Sequence, residues 1–111
     1  MIDKEFRIRE SKQYNNIYQK GKKFMGKCLI VFIIENDLGI NRYGIVTSKK
    51  IGNAIIRNKA KRRLRALVKE NRLKLKQGYD MVLVCRPLIS KVNYSQIEKD
   101  LIIVMRKIGL W

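Results

Sequence analysis

Six cations and one amide crowd the nine positions Arg57-Asn58-Lys59-Ala60-Lys61-Arg62-Arg63-Leu64-Arg65, with no acid among them. Guanidinium groups meet phosphate as a planar two-pronged fork, and ammonium groups meet it as point charges. Binding of a polyanion is the chemistry such a run offers. Bond-breaking chemistry has little to work with elsewhere. The chain holds no His, which removes Ser-His and Cys-His nucleophilic sites and His-ligated metals. Its nine acids are scattered, with no paired carboxylates in a recognisable motif, so any catalysis associated with the chain is expected to reside in a partner. Cys28 and Cys85 stand alone inside apolar runs and read as small buried hydrophobes rather than a metal pair or a disulfide.

A helix must carry the cationic run. At about 100° per residue, Ile56, Ala60, Leu64, Leu67 and Val68 fall within an arc of roughly 120°, a core-facing stripe. Beside it Lys61, Arg65, Asn58, Lys69 and Arg62 occupy an arc of roughly 100°, while Lys59, Arg63 and Glu70 lie on the far side. A solvated helix face usually intersperses Glu, and residues 57–65 contain none. The run Ser48-Lys49-Lys50-Ile51-Gly52-Asn53-Ala54 leads into this helix. Gly52 can adopt a backbone conformation barred to other residues, and Asn53 can cap the helix amides. Lys49, Lys50 and Arg57 then surround a helix start whose free N–H groups suit phosphate.

The balance of 26 Lys and Arg against 9 Asp and Glu gives 26 − 9 = +17 in 111 residues, which points to nucleic acid. An anionic membrane is the rival partner. The longest apolar run, residues 29–34, is far below the roughly 18 residues that span a bilayer. Residues 2–7 mix both signs of charge where a secretory signal would be apolar, so a cytoplasmic protein is expected. A hydrophobic content of 46% suffices for one α+β domain over residues 1–111, a sheet covered by helices.

Residues 1–10 read as an extended arm ending in Arg7 and Arg9. Ser11 is the expected N-cap of a helix over residues 12–20, in which Tyr14, Ile17 and Tyr18 share a face. Such a stripe is core in most helices. It becomes a stacking surface for unpaired bases where cations line the same cleft. Gly21 ends that helix, and Lys20, Lys22, Lys23 and Lys27 surround a short strand and turn. Residues 29–35 form a strand with Ile30, Phe32 and Ile34 on one side, and the turn residues 36–39 predict a hairpin to a strand over 43–48. Tyr79–Cys85 is a further strand, closed by Arg86-Pro87. Ser95-Gln96-Ile97-Glu98 reads as a capping box before a last, structural helix.

An acid-free basic helix beside aromatic rings favours RNA, whose unstacked bases lie on rings next to cationic tracks. The DNA alternative would set the helix in a major groove with Asn58 reading adenine. Strands on both sides of the helix leave no helix-turn-helix partner, so DNA is not expected.

These residues together, from Ser48 through Asn53 into Arg57 through Arg65, resemble the signature of the bacterial ribonuclease P protein subunit. The likeness covers nearly the whole chain, including Tyr14 and Tyr18, the Lys20-Gly21 turn, Phe32, and the strand that begins at Tyr79. It implies an αβββαβα fold with a mixed sheet and a left-handed crossover through the basic helix, against ordinary handedness. It also implies a small protein joined to a large catalytic RNA that removes the 5′ leader of precursor tRNA, with the metal-ion chemistry, chiefly magnesium, belonging to the RNA. By similarity, Arg57, Asn58, Lys59, Lys61, Arg62 and Arg65 would contact the RNA subunit. Tyr14, Tyr18 and Phe32 would hold the single-stranded leader, with phosphate contacts from Lys49 and Lys50. Lys59 stands where the family usually has Arg, which replaces a fork by a point charge. Tyrosines at 14 and 18 replace the commoner phenylalanines and keep stacking available. A ribosomal or RNA-chaperone protein with a similar basic helix is the alternative.

Overall fold

β-Branched and apolar residues at period two build the sheet, and the computed structural model describes it within residues 4–111. Four strands, β1 (Lys22–Met25), β2 (Leu29–Glu35), β3 (Arg42–Val46) and β4 (Tyr79–Cys85), lie in the order β1-β2-β4-β3. β1 pairs antiparallel with β2, β2 antiparallel with β4, and β3 parallel with β4. The helices are α1 (Ser11–Lys20), α2 (Ala54–Asn71) and α3 (Tyr94–Ile108). The mixed α+β architecture agrees with the expectation.

The predicted hairpin between the second and third of these strands does not form, because β4 lies between them. The turn chemistry itself is present: Asp37 and Gly39 have positive φ, and the Leu38 amide donates to Asn36 Oδ1 at 2.9 Å. The polar groups flanking the turn are spent on the entry of β4 instead. Asn36 Nδ2 donates to Asp80 Oδ1 at 2.9 Å, Arg42 closes a two-pronged ion pair on Asp80 at 2.8 and 2.6 Å, and the Tyr79 amide donates to Asn41 Oδ1 at 2.9 Å. These contacts splay β2 and β3 and seat β4 in the gap.

Alternation divides the sheet into two unequal faces. Leu29, Val31, Ile33, Met81 and Leu83 are buried beneath α2 and α3 in the main core. On the other face Ile17 of α1 packs with Ile8 and Val82, and Phe32, Ile34, Val46 and Val84 are only half-buried. One helix and the arm cannot roof four strands, so this face stays partly open. Ile17, 1% exposed, anchors α1 there, a burial that stabilises by about 1.5–3 kcal/mol.

Two local expectations are corrected. Ser11 is the first residue of α1 rather than its cap; Glu10 precedes it, its amide donating to Gln13 Oε1 at 3.3 Å. α3 starts at Tyr94, with the box formed by Asn93 and Gln96, each amide donating to the other's side chain at 2.9 Å. Asn caps as well as Ser and sits at the same three-residue spacing. The arm docks on the sheet: Phe6 stacks under the Arg72 guanidinium at 4.4 Å, Arg7 bridges to Tyr43, and the buried Ile8 donates its amide to the Tyr43 carbonyl at 2.9 Å. It covers the outer edge of β3, whose backbone groups would otherwise be unpaired. Residues 1–3 of the expected arm lie outside the described residues.

α3 is tied to the β1–β2 turn by the buried Asp100, which accepts from the amides of Lys27 and Cys28 at 2.9 and 2.8 Å. Among the described residues, no helix is long and apolar enough to cross a membrane.

Candidate nucleic-acid interface

α2 is built as its spacing predicts from Ala60 onward. Ala60, Leu64, Leu67 and Val68 are buried, and Asn53 caps the helix by accepting from the Ile56 amide at 3.0 Å. Ile56 departs from the stripe and is 38% exposed. It lies in the first turn, ahead of the core, and its side chain folds over Gly52. Gly52 has φ +144°, and a Cβ there would press on Ile56 at about 3 Å, so the strained entry requires glycine. Buried Ile51 pins the preceding turn and leaves Lys49 and Lys50 exposed.

The cations of α2 separate by face. Asn58, Lys59 and Arg62 are exposed, whereas Arg57, Lys61 and Arg65 are half-buried. Arg63 leans away, donating to the Val92 carbonyl at 3.3 Å. Among the described residues the one ion pair is Arg42 with Asp80, so no acid neutralises this flank.

The aromatic residues do not form one platform. Tyr18 meets Phe32 edge to face, with ring centroids 4.9 Å apart and planes at 86°, and Lys23 Nζ stands 5.9 Å from the Phe32 centroid. Tyr18 is 38% exposed, so its ring offers a free face beside a cation. Tyr14 lies lower, across the backbone of Gly44, where any Cβ would overlap its ring. Its hydroxyl donates to the Ile8 carbonyl at 3.4 Å. There it joins Arg65, Arg7, Arg9 and Lys4 around a pocket of about 420 Å³. Arg7 Nε is buried in the protein without a hydrogen-bond partner. A pocket with four cations and an uncommitted guanidinium donor suits a phosphate oxygen.

The fold thus brings Arg65, from the basic helix, to Tyr14 and sets Lys49 and Lys50 apart on the α2 entry. The arm cations and Lys23 carry no positional signal in the sequence, since only the folded sheet places them beside the rings.

Burial shifts the titration of the rings and thiols in one direction. Burial pushes the Tyr18 hydroxyl up, helped by Tyr14; burial also raises Tyr14, against the opposing charge of Arg65. Both rings stay neutral at physiological pH. Burial raises the Cys28 thiol, with Asp100 adding to it, and pushes Cys85 up to about 12 despite Lys61. Neither thiol is a nucleophile near neutrality. Asp80 and Asp100 are committed to Arg42 and to backbone amides, and no group of three or more His, Cys, Asp or Glu among the described residues could hold a metal ion.

Residues 2–109 match the family model Ribonuclease P. The "Ribonuclease P protein component" of Syntrophomonas wolfei is 48% identical over 111 residues, covering 100% of this chain and 93% of that protein. A mutant RNase P protein from Staphylococcus aureus superposes with a TM-score of 0.91 at 28% identity, over 97% of this chain and 92% of the other. The RNase P protein from Thermotoga maritima superposes at 0.84 with 27% identity, over 91% and 96%.

Proposed function

The chain belongs to the ribonuclease P protein family, and from that premise we propose that it is the protein subunit of a ribonucleoprotein that removes the 5′ leader from precursor tRNA. The observation that carries this reading is the pairing of two binding surfaces on one small domain. One is the acid-free flank of α2, and the other is the open sheet face where Tyr18, Phe32 and Lys23 meet. The division of labour follows from their chemistry. Arg57, Asn58, Lys59, Lys61 and Arg62 suit the folded backbone of a large RNA, where closely spaced phosphates reward a row of cations. The Tyr18–Phe32 pair suits the unpaired leader, because every base has a face to stack and a stem does not. Arg65 turns toward Tyr14, so the pocket between the two surfaces takes a phosphate of either RNA. Lys49 and Lys50 add charge at the α2 entry.

In this reading hydrolysis and its magnesium ions belong to the RNA subunit, and the protein orients the precursor in the cytoplasm. Its residues bind and position; they hold and move no proton. The test is to add the chain to a candidate catalytic RNA at low magnesium and follow release of the leader. Cleavage that appears only with the chain supports the proposal. Binding without cleavage would instead indicate a ribosomal or chaperone-type RNA-binding protein.

A further inference from the structure

A second groove, of about 680 Å³, opens between the C-terminal ends of α1 and α3, away from the phosphate pocket. Lys20, Lys22 and Lys76 line it with Tyr79, and Glu35 is the one acid on its wall. Its walls come from both faces of the sheet. Ile33 points to the main core and Ile34 to the open face, and both reach the groove. The groove therefore wraps around the end of β2.

β1 joins this groove to the aromatic cleft. Lys23 lies opposite Phe32 in the register and stands over its ring, whereas Lys22 lies opposite Ile33 and lines the groove. Two neighbouring lysines thus straddle the sheet edge, one in each site. Lys20, Lys22, Lys23 and Lys76 are all exposed, and none is paired with an acid among the described residues. A row of four unneutralised cations beside a half-buried tyrosine ring calls for an extended polyanion with bases rather than an acidic or apolar peptide.

We propose that this groove holds the distal, 5′-ward part of the precursor leader after the strand leaves the Tyr18–Phe32 cleft and crosses the β1 edge. The inference rests on the leader reading of that cleft, since the 3′ end of the leader is fixed at the tRNA and the remainder must run outward from it.

The test uses the reconstituted holoenzyme with precursors carrying leaders of about 5 and about 15 nucleotides, lengths near the two ends of the roughly 4–16 nucleotides a single-strand site covers. The wild-type holoenzyme binds the long-leader precursor more tightly. The Lys22→Ala/Lys76→Ala double variant keeps short-leader affinity and loses the increment from length. Its salt slope on the long leader falls by about 1.4, two phosphates at about 0.7 each. Both side chains are exposed, so thermal unfolding of the variant stays unchanged. A length increment that survives in the double variant, or no increment in the wild type, overturns the groove. Equal losses on short and long leaders overturn it as well. Tyr18→Ala, measured in parallel, tests the cleft: unchanged short-leader affinity in that variant refutes the cleft reading separately.

Discussion

Replacing Tyr18 by Ala removes the more exposed of the two rings of α1. The ring contributes in two ways. Within the protein it meets Phe32 at 4.9 Å edge to face, so the domain loses about 0.5–1.5 kcal/mol from the ring pair in addition to the burial of the ring's covered part. Toward RNA, the proposed cleft gives it one base to stack on, and on that proposal its removal weakens binding by about 1–3 kcal/mol. At about 1.4 kcal/mol per tenfold, precursor affinity of the holoenzyme falls by about 5- to 150-fold. Fluorescence titration with labelled precursor measures the loss, with mature tRNA as control. Tyr18→Phe keeps the ring and its edge-to-face contact, so that variant binds within about twofold of the parent, a difference well under 1 kcal/mol. Phe32→Ala combined with Tyr18→Ala costs less than the two single losses summed, because the rings touch each other. The reasoning fails if Tyr18→Ala weakens mature tRNA equally, or if Tyr18→Phe is as damaging as Ala.

Arg62 is exposed on the α2 flank and has no ion pair among the described residues, so on the proposed reading Arg62→Ala weakens assembly with the RNA subunit, and the salt slope of assembly drops by about 0.9 while the melting temperature holds; unchanged RNA affinity at low salt contradicts the assignment of that face. Asp100→Ala strands the Lys27 and Cys28 amides, costs at least about 2 kcal/mol and lowers the melting temperature by roughly 10 °C, and a shift under about 2 °C would mean that water replaces the carboxylate. Alkaline pH tests the buried thiol. Cys85 keeps its proton in the folded state to about pH 12 and releases it near 9.0 when unfolded, so its stabilisation is complete below pH 9 and is lost as pH climbs toward 12. Denaturant unfolding between pH 9 and 10.5 should show a fall of up to about 1.4 kcal/mol per pH unit from this group, which Cys85→Ala removes; an identical slope in that variant rules the thiol out as its source.

The elements that were legible from sequence are those whose signal is local. Ala60, Leu64, Leu67 and Val68 announce α2 because helical period and burial coincide, and Tyr79–Cys85 reads as a strand because an apolar run ends at Arg86-Pro87. Ile56 was misjudged because period alone does not know where the core begins. The hairpin was misjudged for a deeper reason. Residues 36–39 encode a turn, yet what the flanking strands pair with depends on Asp80, more than forty positions away. The site divides in the same way. The charge of α2 is visible in composition, but the meeting of Arg65 with Tyr14 and the arm, and of Lys23 with Phe32, exists only once the sheet is assembled.

The position of β4 also governs when the fold can exist at all. β2 and β3 both pair with a strand ending at Cys85, so during synthesis both lack that partner until more than three-quarters of the chain has emerged. Early pairing is limited to β1 with β2, and a lone two-stranded hairpin is marginal in water. Closure is therefore a late, long-range event, of the kind that slows folding and leaves strand edges uncovered in the interim. The same waiting segment carries the cationic helix, so its charges repel one another along the open chain and hold neighbouring nascent chains apart through the interval when association is most dangerous.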